Sequence, residues 1–306
     1  MTLALPAPAP VPRSAPRPSR PRVLAVAGTD PTGGAGIQAD LKTFCAHGAY
    51  GMAVTTALVA QNTHGVRSVH VPGPAFLRAQ LDAVSDDVEI DAVKIGMVAD
   101  EANARVIAAW LDDLSAVRTT AGVARPWVVL DPVMVATSGH RLLDEGAEQA
   151  VRDLATRAHV VTPNLPELAV LAGPGAPGTP GPGVATTWED ALRQATSYAR
   201  ASGAVVLLKG GHLTGGTSPD ALVDPRPDAG AAVTRLDAER VDTPHTHGTG
   251  CSLSAALAAL RPQRESWTDA AREAKEWLTG ALRAGAALRV GSGRGPVDHL
   301  HAVGTA

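Results

Sequence analysis

The 306-residue chain holds two cysteines, Cys45 and Cys251, and no CxxC pair. Two thiols in a chain this long do not make a disulfide framework. The lack of CxxC argues against a structural zinc site. A reducing, cytoplasmic setting is the expectation. Aromatics are as scarce, with five Trp, two Tyr and two Phe, which argues against a base-stacking platform for single-stranded nucleic acid. Positive charge is not concentrated: 27 Lys and Arg stand against 30 Asp and Glu, for a net charge of −3. That balance excludes the basic stripe of a nucleic-acid binder. No apolar run approaches the roughly 20 residues of a membrane span. There is no GxxxxGK[ST], so no P-loop nucleotide site is expected.

What is present is apolar content of 45%, enough for a sizeable core. Residues 1–22, MTLALPAPAPVPRSAPRPSRPR, differ in kind, with seven Pro, four Arg and no acidic residue. Proline blocks helix and sheet, so this stretch reads as a disordered tail. It lacks the uninterrupted apolar segment of a secretory signal, and its prolines spoil an amphipathic transit helix. From residue 23 to 306 strand and helix signals alternate. Strands are expected at 23–28, 54–60, 91–98, 127–133, 159–164 and 204–211. Helices are expected at 34–48, 74–84, 101–114, 146–158, 165–173, from Thr187, from Gly248 and over 267–288. Cys45 falls on the apolar side of its helix and is expected in the core. The stretch 173–183, GPGAPGTPGPG, reads as a surface loop, and 221–241 as hairpin-like. Such alternation predicts one α/β domain, a three-layer α/β/α sandwich with a mostly parallel sheet.

In open α/β sheets ligands sit beyond the carboxyl ends of the strands. The polar residues expected there are Gly28–Asp30, Gln61–Asn62, Lys94–Met97, Asp131, Asn164–Glu167, Lys209–His212 and the loop 245–251. Within that loop, HGTGCS places glycines where a helix begins. Unpaired amides and the positive dipole end make it a phosphate or oxyanion cradle, although GxG before a helix also serves simply as a tight turn. The stretch GTDPTGGAGIQAD, residues 28–40, turns into a helix without the glycine spacing or the downstream acid of a dinucleotide fold. Its Asp40 reads either as a ligand-facing carboxylate or as a favourable first-turn acid. Asp131 and Glu167 with Asn164 suit Mg²⁺, a hard cation that takes oxygen ligands; Asn164 and Glu167 equally form a helix capping box. Lys209 ends a buried strand, where a lysine is costly unless it meets an anion. Together these are parts of a phosphoryl-transfer site.

The segments AGTDPTGGAGIQADLKTF, ALVAQNT, VKIGMV, DPVM, TPNLPE, LLKGGH and THGTGC, in this order over about residues 23–302, resemble the hydroxymethylpyrimidine/phosphomethylpyrimidine kinase family of the ribokinase-like superfamily. The resemblance implies an ATP- and Mg²⁺-dependent enzyme of thiamine biosynthesis, usually a homodimer. It would phosphorylate 4-amino-5-hydroxymethyl-2-methylpyrimidine and then its monophosphate, giving the diphosphate. It implies a pyrimidine pocket of Gly28, Asp40, Gln61 and Met97. Asp131, Glu167 and Asn164 would order Mg²⁺ and the ATP phosphates, and Lys209 would neutralise them. The amides of Gly248, Thr249, Gly250 and Cys251 would form the anion hole. In the wider superfamily the loop commonly ends in aspartate as the base; here Cys251 stands in that place. A thiol at a helix N-terminus is expected to have a lowered pKa and to accept the substrate proton; the plain alternative is a small packed residue. The rival readings are a pyridoxal kinase of the same fold, and a non-catalytic pyrimidine or nucleotide sensor. Gln61 and Asp40 favour the pyrimidine over pyridoxal, and Lys209 with the intact glycines favours catalysis over sensing.

Overall fold

The computed structural model describes residues 20–134, 145–173, 183–211, 213, 215–226 and 232–303. The tail reading therefore lies outside the described residues up to residue 19, and so do positions 174–182 of the Gly/Pro loop and His212. The boundary at 22 needs a correction. Arg22 already begins the first strand, because its guanidinium closes bidentately on Asp91 at 3.0 and 3.1 Å and its amide donates to the same carboxylate at 2.8 Å.

The main sheet has eight strands in the order β10-β9-β8-β7-β6-β5-β1-β2. They are β1 (Arg22–Ala27), β2 (Tyr50–Thr55), β5 (Ala92–Ile95), β6 (Trp127–Leu130), β7 (Val160–Val161), β8 (Val205–Lys209), β9 (Asp220–Asp224) and β10 (Ala232–Leu236). From β2 to β8 every pairing is parallel, and β9 and β10 add antiparallel. The inner parallel strands β1, β5, β6, β7 and β8 are short apolar runs buried on both faces, as strands sandwiched between helices must be; the edge strand β2 is only partly buried. Alternation along β1 divides the core: Val23 and Ala25 point into one apolar cluster, Leu24 and Val26 into the other. The first cluster is covered by α1 (Gly36–Ala46), α7 (Thr249–Leu260) and α8 (Trp267–Ala284). The second is covered by α2 (Pro74–Ser85), α3 (Glu101–Ala121), α4 (Glu145–Ala155), α5 (Leu165–Leu171) and α6 (Trp188–Ser202). The three-layer sandwich follows. Each fully buried Leu, Ile or Val in these clusters contributes about 1.5–3 kcal/mol of apolar transfer.

The expected helix starts hold. Thr187 Oγ1 accepts from the Asp190 amide at 3.1 Å and caps α6, and α8 buries Trp267, Ala271, Ala274, Leu278 and Ala281 on one face. The helix expected over 101–114 continues to Ala121, ended by left-handed Gly122. Two expectations fail. The strand expected over 54–60 is two strands. β2 stops at Thr55, Thr56 turns its hydroxyl onto the Met97 carbonyl at 2.6 Å, and the chain leaves the sheet. It then forms β3 (Leu58–Asn62), paired antiparallel with β4 (Gly65–His70) in a separate hairpin. Cys45 is exposed, not core: α1 buries Ala39, Asp40, Thr43 and Phe44, and Cys45 lies a further 100° around the helix.

Candidate active site

The carboxyl ends of the parallel strands and the β3–β4 hairpin enclose a cavity of about 1120 Å³. Of the residues expected to form the site, Gly28, Gln61, Met97, Asp131, Asn164, Glu167, Lys209, Gly248, Thr249, Gly250 and Cys251 all line it. Asp40 does not. It is fully buried on α1, and both its carboxylate oxygens take the Nζ of the equally buried Lys94, at 2.8 and 2.9 Å. Nor is it a first-turn acid, since α1 begins at Gly36 and carries none there. The reason is geometric: its side chain points into the sheet, onto the lysine of β5, and not past the strand ends.

The electrostatic centre is Lys209 at the end of β8. Its Nζ donates to Asp131 Oδ1 at 2.9 Å and lies 3.6 Å from Glu167 Oε2. Asp131 Oδ1 also accepts from the Thr162 hydroxyl at 2.9 Å. Burial works against the charged form of Asp131, yet Lys209 and then Lys94 hold its carboxyl below the usual range. Burial pushes the Glu167 carboxyl up against the pull of Lys209. Two local hydrogen bonds join Glu167 to Asn164. Asn164 Oδ1 accepts from the Glu167 amide at 2.9 Å, and Glu167 Oε2 accepts from the Asn164 amide at 2.8 Å. The capping-box reading is thus correct, and the same carboxylate lines the cavity beside Lys209. Asp131 and Glu167 are hard oxygen donors of the kind Mg²⁺ would take through one or two carboxylates, with phosphate and water completing its shell; here both face Lys209 Nζ.

Facing this centre is the loop before α7. A Cβ placed on Gly250 would lie 3.4 Å from Lys209 Nζ and 3.6 Å from Asp131 Oδ2, so the loop backbone closes directly over the charged pair. Gly248 has φ +79°, and a Cβ there would come 1.8 Å from the Gly34 carbonyl. The turn therefore brings the amides of the first helical turn to the cavity, at the positive end of α7. Cys251 lies in that turn. The expectation of a lowered thiol pKa is not met: burial raises it first, Lys94 pulls it down, and Asp131 and Asp40 raise it again, for a net upward shift. Two like charges nearby and the loss of water outweigh Lys94 and the hydrogen bond with the Gly36 backbone.

Two features of the site have no role in the sequence reading, although Asp30 is placed there at a strand end. Asp30, fully buried, accepts from the Thr32 amide and hydroxyl at 2.9 and 2.8 Å, from the Gly34 and Ala35 amides at 3.1 and 2.8 Å, and from His247 Nε2 at 2.8 Å. It ties the first glycine loop to the anion loop. The visible signal was an acid opening a turn, Asp-Pro-x-Gly, at a strand end. The second feature is the hairpin, whose Val59, Val66 and Val69 add an apolar wall; Asn62-Thr63-His64-Gly65 was its turn signal.

Residues 30–298 match the family described as phosphomethylpyrimidine kinase. The chain is 47% identical to the hydroxymethylpyrimidine/phosphomethylpyrimidine kinase of Escherichia coli over 92% of this chain and 98% of that protein. It is 50% identical to the thiamine biosynthesis multifunctional protein ThiED of Corynebacterium glutamicum over 93% of this chain, and spans 34% of that longer relative. Among solved structures, the ADP complex of Bacillus subtilis pyridoxal kinase superposes with a TM-score of 0.75 at 31% identity, covering 93% of this chain and 99% of that one. The phosphomethylpyrimidine kinase of Clostridium difficile 630 gives 0.69 at 33% identity, covering 86% and 100%. With the family match spanning nearly the whole described fold, and the relative from Escherichia coli covered end to end, the chain belongs to the phosphomethylpyrimidine kinase family.

Proposed function

We propose that the protein transfers the γ-phosphoryl group of ATP to the hydroxymethyl oxygen of 4-amino-5-hydroxymethyl-2-methylpyrimidine, and then a second phosphoryl group to the resulting monophosphate. The observation that carries the reading is the anion loop closing over the Lys209–Asp131–Glu167 centre, with an apolar acceptor pocket alongside. The acceptor ring lies against Gly28 and Met97, whose thioether adapts to a flat ring, and the Gln61 amide bonds its polar edge. Lys209 and the amides of Gly248, Thr249, Gly250 and Cys251 stabilise the charge that builds on the transferring group. Asn164 and Glu167 help seat the nucleotide phosphates. Asp131 and Glu167 would hold Mg²⁺, which when bound would neutralise charge on those phosphates. The new O–P bond forms as the bridging bond to ADP breaks, and the hydroxyl proton passes toward Cys251. Asp40 is left out of the acceptor pocket, so Gln61 alone now speaks for the pyrimidine.

The reading includes a cytoplasmic enzyme that works as a homodimer. Exposed Tyr50 on the edge strand β2 and Leu58 on the hairpin offer apolar surface for a partner copy. Among the described residues no helix is long and apolar enough to cross a membrane.

The test is ADP release with Mg·ATP on the pyrimidine alcohol, its monophosphate and pyridoxal, with products followed by mass. Turnover of the alcohol through to the diphosphate is expected. Turnover that stops at the monophosphate removes the second step. A preference for pyridoxal, the alternative acceptor, whose kinase from Bacillus subtilis shares this fold, would reassign the acceptor.

A further inference from the structure

Residues 291–299, GSGRGPVDH, run between the last helix and the chain end. Their backbone bridges the two sides of the cavity. At one side the Gly293 amide donates to Thr63 Oγ1 at 3.1 Å and the Arg294 amide to the Thr63 carbonyl at 3.0 Å. Ser292 Oγ meets His64 Nε2 at 2.9 Å. Thr63 and His64 form the turn of the hairpin that carries Gln61. In the middle, the Gly295 carbonyl accepts from the His247 amide at 3.2 Å, within the anion loop. At the far end His299 Nε2 lies 3.0 Å from Ser252 Oγ, which donates to the Gly248 carbonyl at 2.8 Å. With the serine proton engaged there, the imidazole N–H is the donor to Ser252.

The hairpin is outside the main sheet, and an isolated two-stranded hairpin is marginal in water. Its placement over the acceptor must therefore come from contacts beyond its own ladder: at the base the Val59 amide donates to Thr29 Oγ1 at 2.9 Å, and at the turn the strap holds it. A Cβ on Gly293 would lie 2.2 Å from the Thr63 carbonyl, so the two chains touch without room for a side chain.

We propose that residues 291–299 are a strap that fixes the acceptor-covering hairpin to the anion loop, with Thr63 as the positioning residue through which it acts. The proposal rests on the kinase reading. A displaced hairpin misplaces the acceptor and admits water. Water then attacks the γ-phosphorus, its O–P bond forms as the bridging bond to ADP breaks, and ADP and inorganic phosphate leave.

The experiment compares Thr63→Val, which keeps the volume and removes the Oγ acceptor, with Thr63→Ser, which restores it. Gly293→Ala presses on the same contact from the strap. Two quantities are read: ADP released per phosphorylated acceptor with the KM of each substrate, and amide hydrogen exchange of residues 58–70. Thr63→Val and Gly293→Ala should at least double the ADP ratio and raise the acceptor KM by roughly fivefold, with the ATP KM within about twofold. Hairpin exchange should speed up while β1 and β5 stay protected, and Thr63→Ser should match the parent. Unchanged hairpin exchange in Thr63→Val overturns the strap, whatever the acceptor proves to be. Faster exchange with an unchanged ADP ratio and acceptor KM overturns its positioning role. Absence of any pyrimidine turnover in the parent counts against the kinase reading instead, and the exchange result still decides the strap.

Discussion

At the scale of single residues the sharpest consequence concerns Cys251. A base must be deprotonated to act, and burial holds this thiol above its ordinary value. The thiolate therefore forms only as pH rises through that raised value, and little of it exists at pH 7. We expect kcat to climb with pH into the alkaline range. Cys251→Ala should flatten that limb and lower kcat at pH 9 by more than about tenfold, with a smaller loss at pH 7. Stopped assays across pH 6–10 on both proteins check this. An equal loss at every pH would make Cys251 a packed side chain, with the loop amides and Lys209 carrying the catalysis.

At the scale of elements, the site is made by helix beginnings. The N-termini of α5 and α7 meet over one lysine, one through a side-chain capping box and the other through bare glycine amides. The α7 turn depends on a backbone conformation that a side chain resists. Gly248→Ala adds a Cβ where the Gly34 carbonyl already stands, at φ +79°, so the anion loop has to retreat from Lys209. We expect kcat to fall at least about 100-fold, since misplacement of roughly 1 Å is enough for that. Adenine-nucleotide binding measured by calorimetry should weaken as well. Near-parent kcat in Gly248→Ala would mean that the loop amides do not stabilise the transferring phosphoryl group.

At the scale of the whole molecule, the buried Lys94–Asp40 pair joins α1 to β5 in the centre of the fold. Replacing one member strands the other charge away from water. Asp40→Leu should cost about 3–5 kcal/mol of unfolding free energy, and Asp40→Leu/Lys94→Met should recover much of it, because a neutral apolar pair carries no desolvation penalty. Urea unfolding followed by tryptophan fluorescence measures both. In the double variant the acceptor KM should stay within about threefold of the parent. A larger rise would return Asp40 to the acceptor pocket, against its burial in the structure.

Sequence by itself determined the layer order, the parallel sheet and most of the site. Strand ends, glycine turns and caps are local signals, and a parallel sheet sends its strand ends to one edge. So the order of residues along the chain is enough to gather Gly28, Met97, Asp131, Glu167 and Lys209 at that edge, whereas Gln61 reaches the cavity from the separate hairpin. What only the tertiary structure decided is which charges meet. Asp40 and Lys94 are 54 residues apart, and helical phase alone does not say that one faces the other and not the cavity. The direction of the Cys251 shift likewise depends on burial and on two carboxylates, Asp40 of α1 and Asp131 just past β6. The hairpin was hidden because Val-Thr-Thr-Ala-Leu-Val-Ala reads as one β-rich run; the break at Thr56 comes from a bond to Met97, far along the chain. The strap was hidden for the same reason: Thr63 and Gly293 are 230 residues apart, and periodicity carries no information about a contact made only when the chain has folded.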